Sequence, residues 1–155
     1  MDSPDQKNAV QRGGFDPNTV FDQILREELP AAFVYRDNIV SAFMDIQPIT
    51  PGHTLVIPNQ RAATLADLPP EVGARMFQVG QQVAAAIRAS SLECEGVNLV
   101  LADGVAAGQT VFHLHLHVIP RFKNDGFAWK LPDKYFTPPA RSDLLETADA
   151  IRKHL

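Results

Sequence analysis

Three histidines alternate with apolar residues in the segment HLHLHV, at positions His113, His115 and His117. In a β-strand successive side chains point to opposite faces, so this spacing predicts a row of three imidazoles on one face, with neighbours about 6.6 to 6.8 Å apart. The opposite face is predicted to be core and carries Phe112, Leu114, Leu116 and Val118. An ordinary polar strand face would explain a single histidine, but three in register favour a chemical role.

Zinc binding is one chemistry open to such a row, because zinc takes three or four ligands about 2.0 to 2.1 Å from the metal. Further ligands are missing next to the histidines: positions 119–122 are Ile, Pro, Arg and Phe, the next carboxylate is Asp125, and no glutamate occurs before Glu146. The single cysteine, Cys94, excludes a site built from several thiolates. The sequence leaves zinc binding open but gives it no support, so we expect no metal site and no cofactor.

Nucleophilic attack on phosphorus is the other chemistry. A neutral imidazole needs little activation, but its second nitrogen must be fixed by an acceptor, and donors must stabilise charge on the phosphoryl oxygens. The loop DGVAAGQT precedes the histidines directly. Its glycines, Gly104 and Gly108, allow the backbone N–H groups to approach a ligand, while Gln109 and Thr110 carry side-chain donors. Joined to the histidine row, this loop predicts an anion-binding site.

The elements that would position these residues follow from periodicity and turn residues. A first helix is predicted to begin with Asp16 as its cap and Pro17 in its first turn, and to stop at Pro30. Strands are predicted over 32–36, 39–45, 53–57, 97–101 and 110–119, with a long helix after Pro69-Pro70 and a last helix over 144–155. Because Asp37-Asn38 suits a tight hairpin and the first links are short, we expect an α+β fold with a five-stranded antiparallel sheet.

Length and composition set the wider limits. A chain of 155 residues and 17.0 kDa can bury about 69% of its unfolded surface, which is enough for one core. We therefore expect a mobile tail over 1–14 and a single domain over 15–155 that ends in a helix. Eighteen acidic and 14 basic residues argue against a broad nucleic-acid surface. No signal-peptide pattern or membrane-length apolar run is visible, so a cytoplasmic protein without membrane contact is expected.

The histidine segment and an earlier segment together resemble one family. DGVAAGQTVFHLHLHVIPR is similar to the signature of the histidine triad family, in which histidines alternate with apolar residues after an AGQ loop. FMDIQPITPGHTLVIP resembles the second and third strands of that family, and the likeness covers roughly residues 16–130. The resemblance implies an α+β fold and a homodimer whose sheet continues across both subunits. It also implies hydrolysis or transfer at the α-phosphate of a nucleotide through a nucleotidyl-histidine.

The resemblance also assigns roles to single residues. It implies that His115 is the nucleophile, that His113 and His117 flank it, and that His53 lies near the phosphate. Asp45 falls where the family binds the ribose diol, a task that suits a carboxylate because it accepts from both hydroxyls. The other implied substrate-binding residues are Gln109, Thr110 and Gly108 at the phosphate, Phe21, Ile24 and Ile46 around the base, and Asn98. For Phe21 and Ile24, packing in the core of the first helix is an equal alternative.

Departures from the family pattern leave the substrate open. Zinc-bearing relatives carry CxxC where this chain has Thr19 to Asp22 and a histidine where it has Arg61, so their structural zinc is not expected here. Ala102 stands where relatives usually carry Asn or Gln. The stretch ADGVAAGQTV is closer to the dinucleoside-polyphosphate branch, whereas the first helix resembles the phosphoramidase branch. Two hypotheses remain: a hydrolase of an adenosine-type nucleotide conjugate, and a nucleotide-binding regulatory module with little turnover.

Overall fold

A computed structural model describes residues 18–155. The elements in chain order are α1 (Val20–Leu25), β1 (Phe33–Arg36), β2 (Val40–Met44), β3 (Thr54–Pro58), α2 (Pro70–Ala89), β4 (Gly96–Leu101), β5 (Leu116–Arg121) and α3 (Arg141–Arg152). The five strands form one antiparallel sheet in the order β1-β2-β3-β5-β4. The predicted α+β fold with a five-stranded antiparallel sheet is therefore confirmed. The predicted tail over 1–14 and the proposed cap at Asp16-Pro17 lie outside the described residues.

The described chain forms two compact units, which divide between Asp125 and Gly126. The first contains the whole sheet. The second, 126–155, contains α3 and two edge-to-face ring pairs, Phe127 with Trp129 and Tyr135 with Phe136. The single domain expected over 15–155 stays a prediction. Within 18–155, no helix combines the length and the apolar character needed to cross a membrane.

Helix α2 packs against one face of the sheet. It begins at Pro70, which suits the first helical position because proline has no N–H to leave unpaired. The predicted long helix is confirmed, and its buried residues, which include Met76, Val79, Val83 and Ile87, recur every three or four positions and so lie on one face. At Gly80 the helix comes so close to β5 that an added Cβ would lie 2.9 Å from the Leu116 side chain. This close contact fixes the strand that carries His117.

Helix α1 is shorter than predicted. It begins at Val20, because Thr19 is extended and forms a reciprocal capping box with Asp22. It ends at Leu25 instead of continuing to Pro30, since Glu27 has φ +61° and a left-handed residue cannot continue a right-handed helix. The two buried residues of α1, Phe21 and Ile24, pack in an apolar cluster with Phe43, Leu55 and Ile57 of the sheet.

The strand predicted over 110–119 is wrong at its start, because β5 begins only at Leu116. Leu116 pairs with Leu101, the last residue of β4, and with Val56 of β3. Two residues further, β3 ends at Pro58, which has no N–H for a ladder. The chain before Leu116 is held instead by isolated hydrogen bonds, such as the bond that the Leu114 N–H donates to the Ala62 carbonyl. His113 and His115 therefore do not lie on a regular strand face.

The predicted hairpin between β1 and β2 is confirmed and centres on Asp37. Its carboxylate accepts the N–H groups of Ile39 and Val40, both at 2.7 Å, the Arg75 Nε–H at 2.8 Å and the Tyr35 hydroxyl at 2.9 Å. Partial burial opposes ionisation, but these donors together hold the pKa of Asp37 well below its usual range. The ionised form of Asp37 therefore stabilises the fold.

We predict that Asp37→Asn lowers the free energy of unfolding at pH 7 by about 1 to 3 kcal/mol, because a charged acceptor is lost from three kinds of donor. Since the folded pKa is depressed, the wild-type contribution is fully present above the unfolded value of about 3.9 and is lost progressively as the pH falls from there toward the folded pKa. Urea unfolding at pH 7 and pH 3 measures both effects. Asp149→Asn, which removes an exposed ion pair, is the control and should change little. Equal stability of wild type and Asp37→Asn at pH 7 would contradict the prediction.

Candidate active site

Four of the five histidines occupy one region of the sheet unit. His117 lies in β5, His53 directly precedes β3, and His113 and His115 lie in the irregular segment before β5. His53, His113 and His115 are buried, and His117 is half-buried. The ring centroids of His115 and His117 stand 4.8 Å apart, and those of His53 and His117 stand 5.1 Å apart. The His117 ring therefore contacts both His53 and His115.

Hydrogen bonds determine which nitrogen of His53 and His117 carries the proton. The Ile49 N–H donates to His53 Nδ1 at 3.1 Å, so Nδ1 is an acceptor and His53 holds its proton on Nε2. That Nε2–H donates to His117 Nδ1 at 2.9 Å. His117 in its neutral form then carries its own proton on Nε2. This chain of bonds makes His117 Nε2–H a hydrogen-bond donor for a ligand.

His115 has the opposite tautomer. Its Nδ1 lies 2.8 Å from the backbone carbonyl of His113, and because a carbonyl only accepts, Nδ1 must donate. Nε2 of the neutral ring therefore carries the lone pair. The Phe21 ring meets the His115 ring edge-on at 5.2 Å and limits its rotation. An imidazole with one nitrogen fixed by an acceptor and the other unprotonated is the arrangement that a nucleophile needs.

Burial keeps these rings neutral at pH 7. It lowers the pKa of His115 below the usual histidine value, although the bond to the His113 carbonyl and the charge of Asp45 act in the opposite direction. Burial, together with the neighbouring His115 and His53, lowers the pKa of His117 to about 4. Burial also lowers the pKa of His53. The lone pair on His115 Nε2 and the proton on His117 Nε2 therefore coexist at neutral pH.

Asp45 follows β2 and lies against His53. Its backbone N–H donates to the His53 carbonyl at 3.0 Å, and its Oδ2 stands 3.7 Å from His53 Nδ1. Its Oδ1 accepts the Gln47 N–H at 2.8 Å. The next residue, Ile46, is 90% exposed. Asp45 thus belongs to the histidine site, while its contact with a ribose and the contact of Ile46 with a base stay predictions.

The loop before the histidines is held by Gln109. This residue is buried, its Oε1 accepts the Gly104 N–H at 2.7 Å, and its Nε2 donates to the carbonyls of Ala63 and Val111. Gly108 has φ +89°, the left-handed region that favours glycine, and Thr110 is exposed. In the described structure both polar groups of Gln109 therefore stabilise the loop. The predicted phosphate contacts of Gln109, Gly108 and Thr110 stay predictions.

The remaining predicted residues lie around this centre. Phe21 and Ile24 are buried in the cluster between α1 and the sheet, as the core alternative predicts, and Phe21 also touches the His113 and His115 rings. Asn98 of β4 accepts a hydrogen bond from Arg121, which also pairs with Asp125. A substrate contact of Phe21, Ile24 or Asn98 stays a prediction.

Two residues at the site were not predicted to belong to it: Asp22 and Arg61. Asp22 Oδ1 stands 3.5 Å from His113 Nδ1, and Arg61 Nη1 stands 3.7 Å from Asp22 Oδ2. His113 Nε2 lies 2.8 Å from the Pro58 carbonyl and therefore carries a proton. The pattern Thr19-x-x-Asp22, which is a capping-box signature, could have located Asp22, whereas no local pattern marks Arg61.

A metal ion could be considered at Asp45, His53 and His117, whose ligand atoms lie within 4.8 Å of one another. The His53 Nε2 and His117 Nδ1 atoms are 2.9 Å apart and share a hydrogen bond, whereas two tetrahedral zinc ligands would stand about 3.3 Å apart. His53 Nδ1 is engaged by the Ile49 N–H. Hydrogen bonds within the protein thus already use these histidine nitrogens.

The chain is similar to known proteins along most of its length. A family model described as "HIT domain" matches residues 26–124. An uncharacterised HIT-like protein of Borreliella burgdorferi is 45% identical over 116 residues, which cover 74% of this chain and 84% of that protein. A protein of Arabidopsis thaliana named adenylylsulfatase HINT3 is 34% identical over 116 residues, covering 75% of this chain and 58% of that protein.

A solved structure, described as a zinc-bound histidine triad family protein from Mycobacterium smegmatis, matches with a TM-score of 0.70 and 40% identity. The match covers 89% of this chain and 97% of that one. The resemblance assigns the structural zinc of such relatives to a CxxC pair and a histidine, and this chain has Thr19, Asp22 and Arg61 at those positions. The Arg61 guanidinium stands 3.7 Å from Asp22 Oδ2, so an ion pair joins two of these positions.

Family membership follows from these matches, because the domain model covers well over half of the chain and several relatives exceed 30% identity across most of their length. The five-stranded sheet and the alternating histidines agree with that assignment. Members of the family include proteins named as hydrolases, among them the Arabidopsis adenylylsulfatase and a HIT family hydrolase of Legionella pneumophila. The chain belongs to the HIT family, the histidine triad family.

Proposed function

We propose that this protein hydrolyses, or transfers from, the α-phosphate of an adenosine-type nucleotide conjugate, with His115 as the nucleophile. The observation that carries the proposal is the bond from His115 Nδ1–H to the His113 carbonyl, which leaves a lone pair on Nε2 of a buried neutral ring. The donor on His117 Nε2 lies in the adjacent ring and stabilises charge on the phosphate or the leaving group.

The proposed reaction has two steps. In the first, His115 Nε2 attacks the α-phosphorus, and the bond to the leaving group breaks with its electron pair, so that the leaving group takes up a proton from solvent. In the second, water attacks the same phosphorus and returns a proton to solvent, Nε2 leaves with its electron pair, and a nucleoside monophosphate is released. The net change is the addition of one water molecule across the broken bond, and no cofactor takes part.

The leaving group is either an amine or a phosphate. The name of the Arabidopsis relative supports an adenylyl group in the substrate. Ala102, which replaces an Asn or Gln in the resemblance, favours the alternative of a nucleotide-binding module with little turnover. Turnover of an adenosine phosphoramidate and of a diadenosine polyphosphate distinguishes these cases. The single cysteine, Cys94, agrees with a place in a reducing compartment such as the cytoplasm.

The covalent intermediate is the most direct prediction. A rapid quench of wild-type protein with substrate should trap one nucleoside monophosphate on His115 as an acid-labile phosphoramidate, detected by peptide mass spectrometry. His115→Gly should form no adduct and should still bind AMP, since only the attacking nitrogen is lost. His113→Ala and His117→Ala should slow adduct formation without abolishing it.

The matched control for these variants is His154→Gly, which changes the one histidine outside the site. It should form the adduct at the wild-type rate. An adduct that persists in His115→Gly, or that maps to His53, His113 or His117 in the wild type, would exclude His115 as the nucleophile.

The pH dependence has a defined direction. Protonated His115 has no lone pair on Nε2, so activity falls on acidification. Because burial lowers the pKa of His115, and that of His117 to about 4, kcat/KM should be constant from about pH 8 down to the reference histidine pKa of about 6.5 and fall only below it. Steady-state rates over this range, with circular dichroism to confirm folding at each pH, test this. A midpoint above the reference value would contradict the buried neutral nucleophile.

The proposal includes a homodimer that joins β4 and α2 of two copies. Strand β4 is an edge of the sheet, and edge strands expose unpaired backbone groups. Phe77 of α2 is half exposed and lines an apolar depression with Ala84, Val97 and Leu99. A second copy of this surface would cover both features.

Sedimentation equilibrium at micromolar concentration should give twice the chain mass of 17.0 kDa. Phe77→Glu should shift the protein to monomer, because it places a charge in the covered depression. Val34→Glu changes an equally exposed residue at the opposite edge, in β1, and should leave the dimer intact. A wild-type protein that sediments only at the monomer mass would contradict the dimer.

A further inference from the structure

A buried ion pair lies directly behind the histidines. It consists of Asp22 in α1 and Arg61 in the loop after β3, whose side chains are 14% and 9% exposed, and it borders the fully buried His113. Removing two charges from water costs free energy that their mutual attraction does not always repay. We infer that Asp22 and Arg61 are positioning residues that hold the 112–113 backbone, and through it the ring of His115, in the attacking orientation. The inference rests on the proposed function.

Asp22 divides its two oxygens between α1 and the histidine segment. Oδ2 accepts the Thr19 N–H at 3.0 Å and the Thr19 hydroxyl at 2.7 Å, and it also faces Arg61. Oδ1 faces His113 Nδ1 at 3.5 Å. One carboxylate thus connects the start of α1, the Arg61 cation and the first histidine.

Arg61 fixes the backbone from the other side. Its Nε–H donates to the carbonyl of Phe112 at 3.1 Å, one residue before the carbonyl that matters for catalysis. The His113 ring is held by its bond to the Pro58 carbonyl, and the His113 carbonyl accepts from His115 Nδ1. The His113 carbonyl shares a planar peptide unit with the Leu114 N–H, which donates to the carbonyl of Ala62, the neighbour of Arg61, at 2.8 Å. The bond of Arg61 to the Phe112 carbonyl, the bond of the His113 ring and this Leu114 bond together restrain the direction of the His113 carbonyl.

Helix α1 carries a second constraint. Its Phe21 meets the rings of His113 and His115 edge-on, at 5.9 and 5.2 Å. The helix has only six residues, so its position depends on its cap and on the ion pair more than on its own hydrogen bonds. Loss of the ion pair would therefore loosen both the carbonyl that orients His115 and the ring that packs against it.

The electrostatics explain why both charges are present. His113 Nε2 carries the proton, so Nδ1 presents a lone pair to the Asp22 carboxylate and has no hydrogen-bond partner among the described residues. Burial lowers the pKa of His113 most strongly, the bond to the Pro58 carbonyl and the charge of Asp22 raise it, and Arg61 lowers it. Arg61 thus offsets the carboxylate and acts together with burial to keep His113 neutral. Without Arg61, the carboxylate would draw a proton onto Nδ1, and the pKa of His113 would rise.

The test compares Arg61→Met with Arg75→Met. The second variant removes the cation from the Asp37–Arg75 pair, which is also partly buried but lies at the hairpin and away from the histidines. Arg61→Met should lower kcat roughly tenfold while KM and the Kd for AMP change less than about twofold, because attack geometry is lost and binding is not. Arg75→Met should lower thermal stability and leave kcat within about twofold.

A second-site change gives a signature that a merely structural role would not produce. Adding Asp22→Asn to Arg61→Met removes the unpaired carboxylate, and the Asn amide keeps the cap and can donate to His113 Nδ1. The double variant should therefore regain kcat to within about threefold of wild type, a non-additive result. A double variant with a lower kcat than Arg61→Met alone would overturn the inference. So would an Arg61→Met variant whose kcat equals that of Arg75→Met.

Arg61→Lys covers the case in which Arg61→Met does not fold. Lysine keeps the charge beside Asp22 but lacks the Nε–H that bonds the Phe112 carbonyl. Its kcat should fall about threefold with unchanged KM, because the backbone restraint is lost while the charge stays. A wild-type kcat in Arg61→Lys would overturn the role of Arg61 in holding the backbone.

Ring ¹⁵N spectra separate this inference from the proposed function. In Arg61→Met, or in Arg61→Lys if the former does not fold, the His115 Nδ1–H signal should shift, and Arg75→Met should leave it unchanged. In Arg61→Met the pKa of His113 should also rise. If the wild type turns over no substrate and forms no adduct, the proposed function fails, while the spectra still test the positioning. An unshifted His115 signal in a catalytically active protein overturns the positioning alone.

Discussion

One hydrogen bond within the histidine segment, from His115 Nδ1–H to the backbone carbonyl of His113, determines the chemistry of the site. It places the proton of a neutral ring on Nδ1 and leaves the lone pair on Nε2. A lone pair on Nδ1 would instead face a carbonyl oxygen and give Nε2 no nucleophilic character. The bond is local in sequence, yet it forms only because the chain leaves the β-ladder before Leu116 and turns this carbonyl toward the ring.

The other groups of the site complement that bond. The Ile49 N–H, His53 and His117 form a chain of hydrogen bonds that places a proton on His117 Nε2, next to the lone pair of His115. Two adjacent histidines therefore have opposite tautomers, one suited to attack and one to donation. Burial lowers the pKa of both, so that neither ring takes up a second proton at neutral pH.

Two packed layers hold these groups in place. Helix α2 comes close to β5 at Gly80 and fixes the strand that carries His117. On the other face, α1 brings Phe21 against His115 and Asp22 toward His113. The predicted strands 32–36, 39–45, 53–57 and 97–101 match the observed ones to within one residue at each end, because each is a short apolar run bounded by turn residues. Helix α1 was placed less well, since its start depends on the Thr19–Asp22 cap and its end on Glu27.

The sequence by itself determined the sheet, the long helix and the identity of the chemical groups, because period-2 and period-3.6 patterns and the HLHLHV spacing are local properties of the chain. Tertiary structure decided the rest. The strand over 110–119 could not form, because β4 ends at Leu101 and β3 ends at a proline. The contacts of His53 with His117 and of Asp22 with Arg61 join residues far apart in the chain. No local pattern encodes such distances, so the tautomers and pKa values that follow from them emerge only when the chain is folded.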